Sequence, residues 1–70
     1  MKYAVVYERT LRNYSAYVPD LPGCVATGAS RDQVERRIRE AILLHVEQLR
    51  RDSELVPEPA AWSEVVEVPA

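Results

Sequence analysis

The stretch Tyr14–Gln33, YSAYVPDLPGCVATGASRDQ, decides the fold of this chain. Tyr14–Val18 is rich in aromatic and β-branched residues and predicts a strand. It ends at Pro19, whose ring nitrogen cannot donate to a ladder. Leu21-Pro22-Gly23-Cys24 puts proline second and glycine third in a four-residue turn, as a type II turn demands of its positive-φ position. Cys24–Gly28 then predicts a short return strand. Ser30 and Gln33 have the spacing of a capping box, and Asp32 favours the positive end of the helix dipole. One stretch therefore holds two strands, their turn and a helix start.

Reading outward, Lys2–Glu8 (KYAVVYE) predicts a first strand, and the polar Thr10–Asn13 a turn into the second. Tight connections between three strands make an antiparallel meander. Beyond Ser30, the residues Val34, Ile38, Ala41, Ile42, His45 and Leu49 recur at helical spacing on one face. They predict a helix from Arg31 to Arg51 or Asp52. Pro57 and Pro59 make Leu55–Ala61 an extended connector, and Glu64–Val68 (EVVEV) reads as a last strand stopped by Pro69.

The order β-β-β-α-β predicts a single α+β domain over residues 1–70. Its sheet is expected to be four-stranded and mixed, in order 3-2-1-4, with one helix on one face and a right-handed crossover to the last strand. Alternation along the first strand sets Tyr3, Val5 and Tyr7 opposite Ala4, Val6 and Glu8. The small residues are expected beneath the helix. The Tyr3/Val5/Tyr7 row, with Tyr17, would then form an apolar docking surface on the bare face.

Composition bounds the function. At 47% hydrophobic and 29% charged the chain is globular, and a net charge of −2 disfavours a domain built to grip nucleic acid. No apolar run approaches the ~20 residues of a membrane span, so a cytoplasmic protein without membrane contact is expected. A domain this short buries only about 60% of its unfolded surface. Cys24 has no disulfide partner in the chain, and His45 has no zinc-ligand companions. Self-association into a homodimer or homotetramer is the expected source of further stability.

The run Val18-Pro19-Asp20-Leu21-Pro22-Gly23-Cys24, then Gly28 and a capped helix through Arg39–Arg50 to Val56-Pro57-Glu58-Pro59, resembles the HicB-like antitoxin family. The likeness covers nearly the whole chain. It implies a partial RNase H-like domain and a partner, a HicA-type toxin, which is a small basic ribonuclease that cleaves mRNA. Many relatives add a DNA-binding segment after this domain; because the sequence stops at Ala70, direct DNA binding is not expected.

No constellation for catalysis, metal or cofactor stands out. Glu8, Glu64 and Glu67 could form a metal-nuclease site only if they shared a face, and alternation puts Glu64 and Glu67 on opposite faces. His45 reads as a half-buried stripe residue, Cys24 as a small packing residue, and Asp20 as a brace for its own turn. With the partner that the resemblance implies, the expectation is a non-enzymatic inhibitor of a toxin ribonuclease. Its interface candidates are Tyr3, Val5, Tyr7 and Tyr17 as anchors, with Glu8, Asp20, Glu64 and Glu67 to pair with toxin Arg or Lys. The alternatives are an orphan module with another protein or a small molecule as partner, and a metal-dependent nuclease.

Overall fold

A computed structural model describes all 70 residues. Strands β1 (Val6–Arg9), β2 (Tyr14–Tyr17) and β3 (Val25–Gly28) precede one helix, α1 (Arg31–Arg51). The sheet is an antiparallel meander in order β1-β2-β3. Its register aligns Val6 with Tyr17 and Val25, Tyr7 with Ala16 and Ala26, Glu8 with Ser15 and Thr27, and Arg9 with Tyr14 and Gly28.

The turns follow from local chemistry. Thr10 N–H donates to the Asn13 carbonyl at 2.8 Å, and the Thr10 hydroxyl donates to Asn13 Oδ1 at 2.8 Å. In the β2–β3 connection Cys24 N–H donates to the Leu21 carbonyl at 3.0 Å, with Gly23 at φ +84°, which is the type II turn. Leu21 N–H donates to the Val18 carbonyl at 3.1 Å and Val18 N–H to the Cys24 carbonyl at 3.2 Å. The loop is thereby wound tightly enough to bury Leu21 completely.

Both ends of α1 are capped. The Ser30 hydroxyl accepts from Gln33 N–H at 3.1 Å, and Gln33 Oε1 accepts from Ala29 N–H at 2.6 Å. At the other end Glu54 N–H donates to the Leu49 carbonyl at 2.8 Å and Ser53 N–H to the Arg50 carbonyl at 3.1 Å. This is a Schellman motif with Ser53, at φ 56°, where glycine is usual.

The helix lies over β3 and β2, leaving β1 beyond its edge. Val34 and Ile38 meet Ala16, Val18, Leu21 and Cys24 in the core. The approach is close at Gly28, where an added Cβ would stand 2.7 Å from the Val34 nitrogen.

Two expectations are corrected. The four-stranded sheet in order 3-2-1-4, and with it the partial RNase H-like β-β-β-α-β arrangement, is not what the chain forms: Glu64–Val68 pairs with no strand. The connector explains why. Tyr3 hydroxyl donates to the Pro57 carbonyl at 2.5 Å, and Asp20 Oδ2 accepts from Ala60 N–H and Ala61 N–H, each at 3.1 Å. The chain thus crosses the end of the sheet from before β1 to the β2–β3 loop, and the residues after Ala61 leave from that loop without pairing. The radius of gyration, 13.7 Å, exceeds the roughly 11 Å of a compact chain this long because of this projecting arm.

The second correction concerns sidedness. Tyr3 and Val5 pack against the core on the helix side, and Tyr7 shares its row with Ala16 and Ala26 beneath the helix. The small residues that draw the helix close are on β2 and β3, not on β1. The first strand also begins at Val6 rather than Lys2, since β2 ends at Tyr17 and offers nothing further to pair with.

Candidate protein-binding surfaces

The bare face of the sheet is built by register alone. Val6, Tyr17 and Val25 stand side by side across three strands, and Glu8, Ser15 and Thr27 form the next row. No helix covers this face. Tyr17 is 41% and Val25 63% exposed. An aromatic and two valines in a line, bordered by hydroxyls and a carboxylate, can bury apolar area against a partner while keeping a polar rim.

On the opposite side, β1 and α1 leave a cleft of about 250 Å³ between them, lined by Tyr7, Glu8, Arg9, Tyr14, Arg31, Val34 and Glu35. It exists because α1 sits over β2 and β3. Arg9 and Arg31 on its lining are matched by Glu8 and Glu35, and Arg12 of the β1–β2 turn adds a further positive charge nearby.

A third surface is the arm that follows Ala61. Trp62 is 85% and Val65 100% exposed, and Val66 and Val68 are also largely open to solvent. Charge is divided earlier, at the end of α1. Residues 52–70 hold Asp52, Glu54, Glu58, Glu64 and Glu67 and no Lys or Arg, whereas residues 1–51 hold nine Lys or Arg against six acids. The net charge of −2 is thus a basic body of +3 joined to an acidic tail of −5. Counting charges in the two parts of the sequence separately reveals this; the overall balance conceals it.

The candidate residues scatter accordingly. Tyr17 lies on the bare face, Glu8 belongs to the bare-face row but also lines the cleft at the β1 edge, Tyr7 borders the cleft, and Tyr3 and Val5 pack inward. Glu64 and Glu67 ride on the arm, and Asp20 is occupied in holding it rather than its own turn. Val6 and Val25, absent from the sequence candidates, join Tyr17 through hairpin register. Outside these surfaces Leu43 and Leu44 are exposed on the outer side of α1.

Cys24 is buried, and loss of solvation pushes its thiol above the ordinary value. His45 is half-buried on the stripe. No three His, Cys, Asp or Glu side chains converge closely enough to hold a metal ion, and no helix is long and apolar enough to cross a membrane.

Residues 3–70 match the HicB_like antitoxin of bacterial toxin-antitoxin system family. A UPF0150 protein of Thermoplasma acidophilum is 34% identical over 58 residues, covering 81% of this chain and 84% of that protein. An uncharacterized 14.9 kDa protein of Haemophilus phage HP1 is 33% identical over 57 residues, but those span 81% of this chain and only 43% of the phage protein. A UPF0150 protein of Archaeoglobus fulgidus is 42% identical over 48 residues, 67% of this chain and 70% of that one.

Proposed function

We infer that this chain, which belongs to the HicB-like antitoxin family of bacterial toxin–antitoxin systems, is a non-enzymatic antitoxin that acts by covering its toxin. The toxin is of the HicA type, a small basic ribonuclease, and neutralisation takes place in the cytoplasm by occlusion of its RNA-binding surface. The antitoxin works as a homodimer or homotetramer.

The observation that carries this reading is the uncovered row Val6–Tyr17–Val25 beside Glu8. A tyrosine anchor ringed by smaller apolar groups is the usual composition of an energetic centre at protein interfaces. Glu8 at its border suits an arginine or lysine of a basic ribonuclease, and such rim charges chiefly speed and orient encounter. The chain supplies contact area and charge; no proton transfer or nucleophile is asked of it.

The test is co-expression with a HicA-type protein encoded beside this chain, reading co-purification and rescue of growth. Tyr17→Asp is expected to lose both, with the circular dichroism spectrum unchanged because Tyr17 lies outside the core. Absence of binding by the unaltered chain, or full neutralisation by the Tyr17 variant, would refute the reading.

A further inference from the structure

We propose that the arm Trp62–Val68 is a strand donated in trans, which adds to the free edge of β1 in a second copy of this chain. This deepens the self-association in the reading above and rests on that part of it alone.

Four observations converge on a second copy as the occupant. The arm is rich in valine, as a strand is, yet its backbone pairs with nothing in its own subunit, and Trp62, Val65, Val66 and Val68 stand in solvent. Extended apolar chain with unpaired N–H and C=O groups is a template for pairing with another chain. Its own β1 edge is left unpaired, and Tyr3 and Asp20 fasten the connector that precedes the arm across the end of the sheet. An arm held off its own subunit but anchored at a fixed departure point is the arrangement that reciprocal exchange about a two-fold axis requires.

Charge chooses the edge. The arm carries Glu64 and Glu67, and the β1 side of the body presents Arg9, Arg12 and Arg31 against Glu8 and Glu35, an excess of one positive charge within a body of net +3. Tyr7 and Tyr14 in that cleft offer an apolar seat for side chains of the incoming strand. On the other edge, Arg37 is already engaged by the Thr27 carbonyl of β3, which it meets at 3.0 Å. The acidic tail of one copy and the basic body of the next are therefore complementary, and in a symmetric pair the match is made twice.

The experiment combines sedimentation equilibrium with amide hydrogen exchange on the full chain over a range of concentrations. The expected mass is twice 8.0 kDa, or a multiple of that. The alternate amides of Val66 and Val68 are expected to exchange slowly in the associated state and freely on dilution, with the outward amides of β1 gaining protection alongside them. Val66→Pro, which removes a ladder donor outside the core, is expected to return the mass to 8.0 kDa with the amide shifts of β2 and β3 retained.

Free exchange of the arm in an associated state, protection of β3 in place of β1, or association that survives Val66→Pro overturns the arm exchange while leaving self-association standing. Protection independent of concentration places the arm on its own subunit and also overturns it. A mass of 8.0 kDa for the unaltered chain at every concentration removes both.

Discussion

Asp20 Oδ2 lies 3.1 Å from the backbone nitrogen of Ala61, 41 positions later in the chain, and it accepts from Ala60 N–H as well. One carboxylate oxygen in the β2–β3 loop thereby sets the point at which the arm leaves the body. Asp20→Ala is expected to free both amides at a cost of about 1 kcal/mol, since hydrogen bonds to a charged acceptor exceed neutral ones but this acid is partly open to water. Amide exchange at Ala60 and Ala61 should speed up while that of β2 does not. Unchanged exchange at both amides would show the clamp to be idle.

At the end of α1, Ser53 holds a left-handed conformation, φ 56°, to complete the Schellman motif. That region costs a side chain roughly 1 kcal/mol and glycine almost nothing. Ser53→Gly is expected to raise the chemical denaturation midpoint with the slope unchanged. A lowered midpoint would mean that the serine side chain makes an offsetting contact.

Gly28 faces α1 so closely that an alanine methyl would stand 2.7 Å from the backbone nitrogen of Val34. Backbone cannot rotate aside as a side chain can. Gly28→Ala is therefore expected to destabilise the fold by about 1–3 kcal/mol, the usual range for overpacking. Thermal unfolding measures this, and an unaltered midpoint would contradict the close approach.

Burial raises the Cys24 thiol above its ordinary value in the folded chain. The folded state thus binds more protons than the unfolded state once pH passes the ordinary thiol value of about 8.5, so stability must fall as pH rises through and beyond it. Chemical denaturation at pH 7 and pH 10 should show that loss, and Cys24→Ala should remove the part due to the thiol. Native Cys24 is also expected to react with a thiol reagent at neutral pH far more slowly than in denaturant. Equal rates would place the thiol at the surface.

Most local structure was legible because it depends on neighbours in sequence. Pro22-Gly23 makes a type II turn from the φ preferences of two residues, and Ser30 with Gln33 starts a helix by satisfying free N–H groups. The face of the first strand was harder. Alternation separates Tyr3, Val5 and Tyr7 from Ala4, Val6 and Glu8 but does not say which set the helix covers. That choice belongs to β2 and β3, where Ala16, Ala26 and Gly28 form the smooth surface on which α1 settles, and hairpin register puts Tyr7 on the same face. For the candidate interface, Tyr17 and Glu8 were legible, but Val6 and Val25 join them only through that pairing.

The sequence by itself determined the meander, the capped helix, the extended connector and the kinship with antitoxins, each written in contacts a few residues apart or in motif spacing. The tertiary structure alone decided which way β1 turns its tyrosines and where the final residues go. The strand chemistry of Glu64–Val68 is real, but a strand needs an edge within reach. Two hydrogen bonds to Asp20 and one from Tyr3, spanning 40 to 54 positions, fasten the connector at the end of the sheet, and the segment beyond it pairs with no edge of its own subunit. Local preference names what a segment can form; long-range closure chooses what it meets.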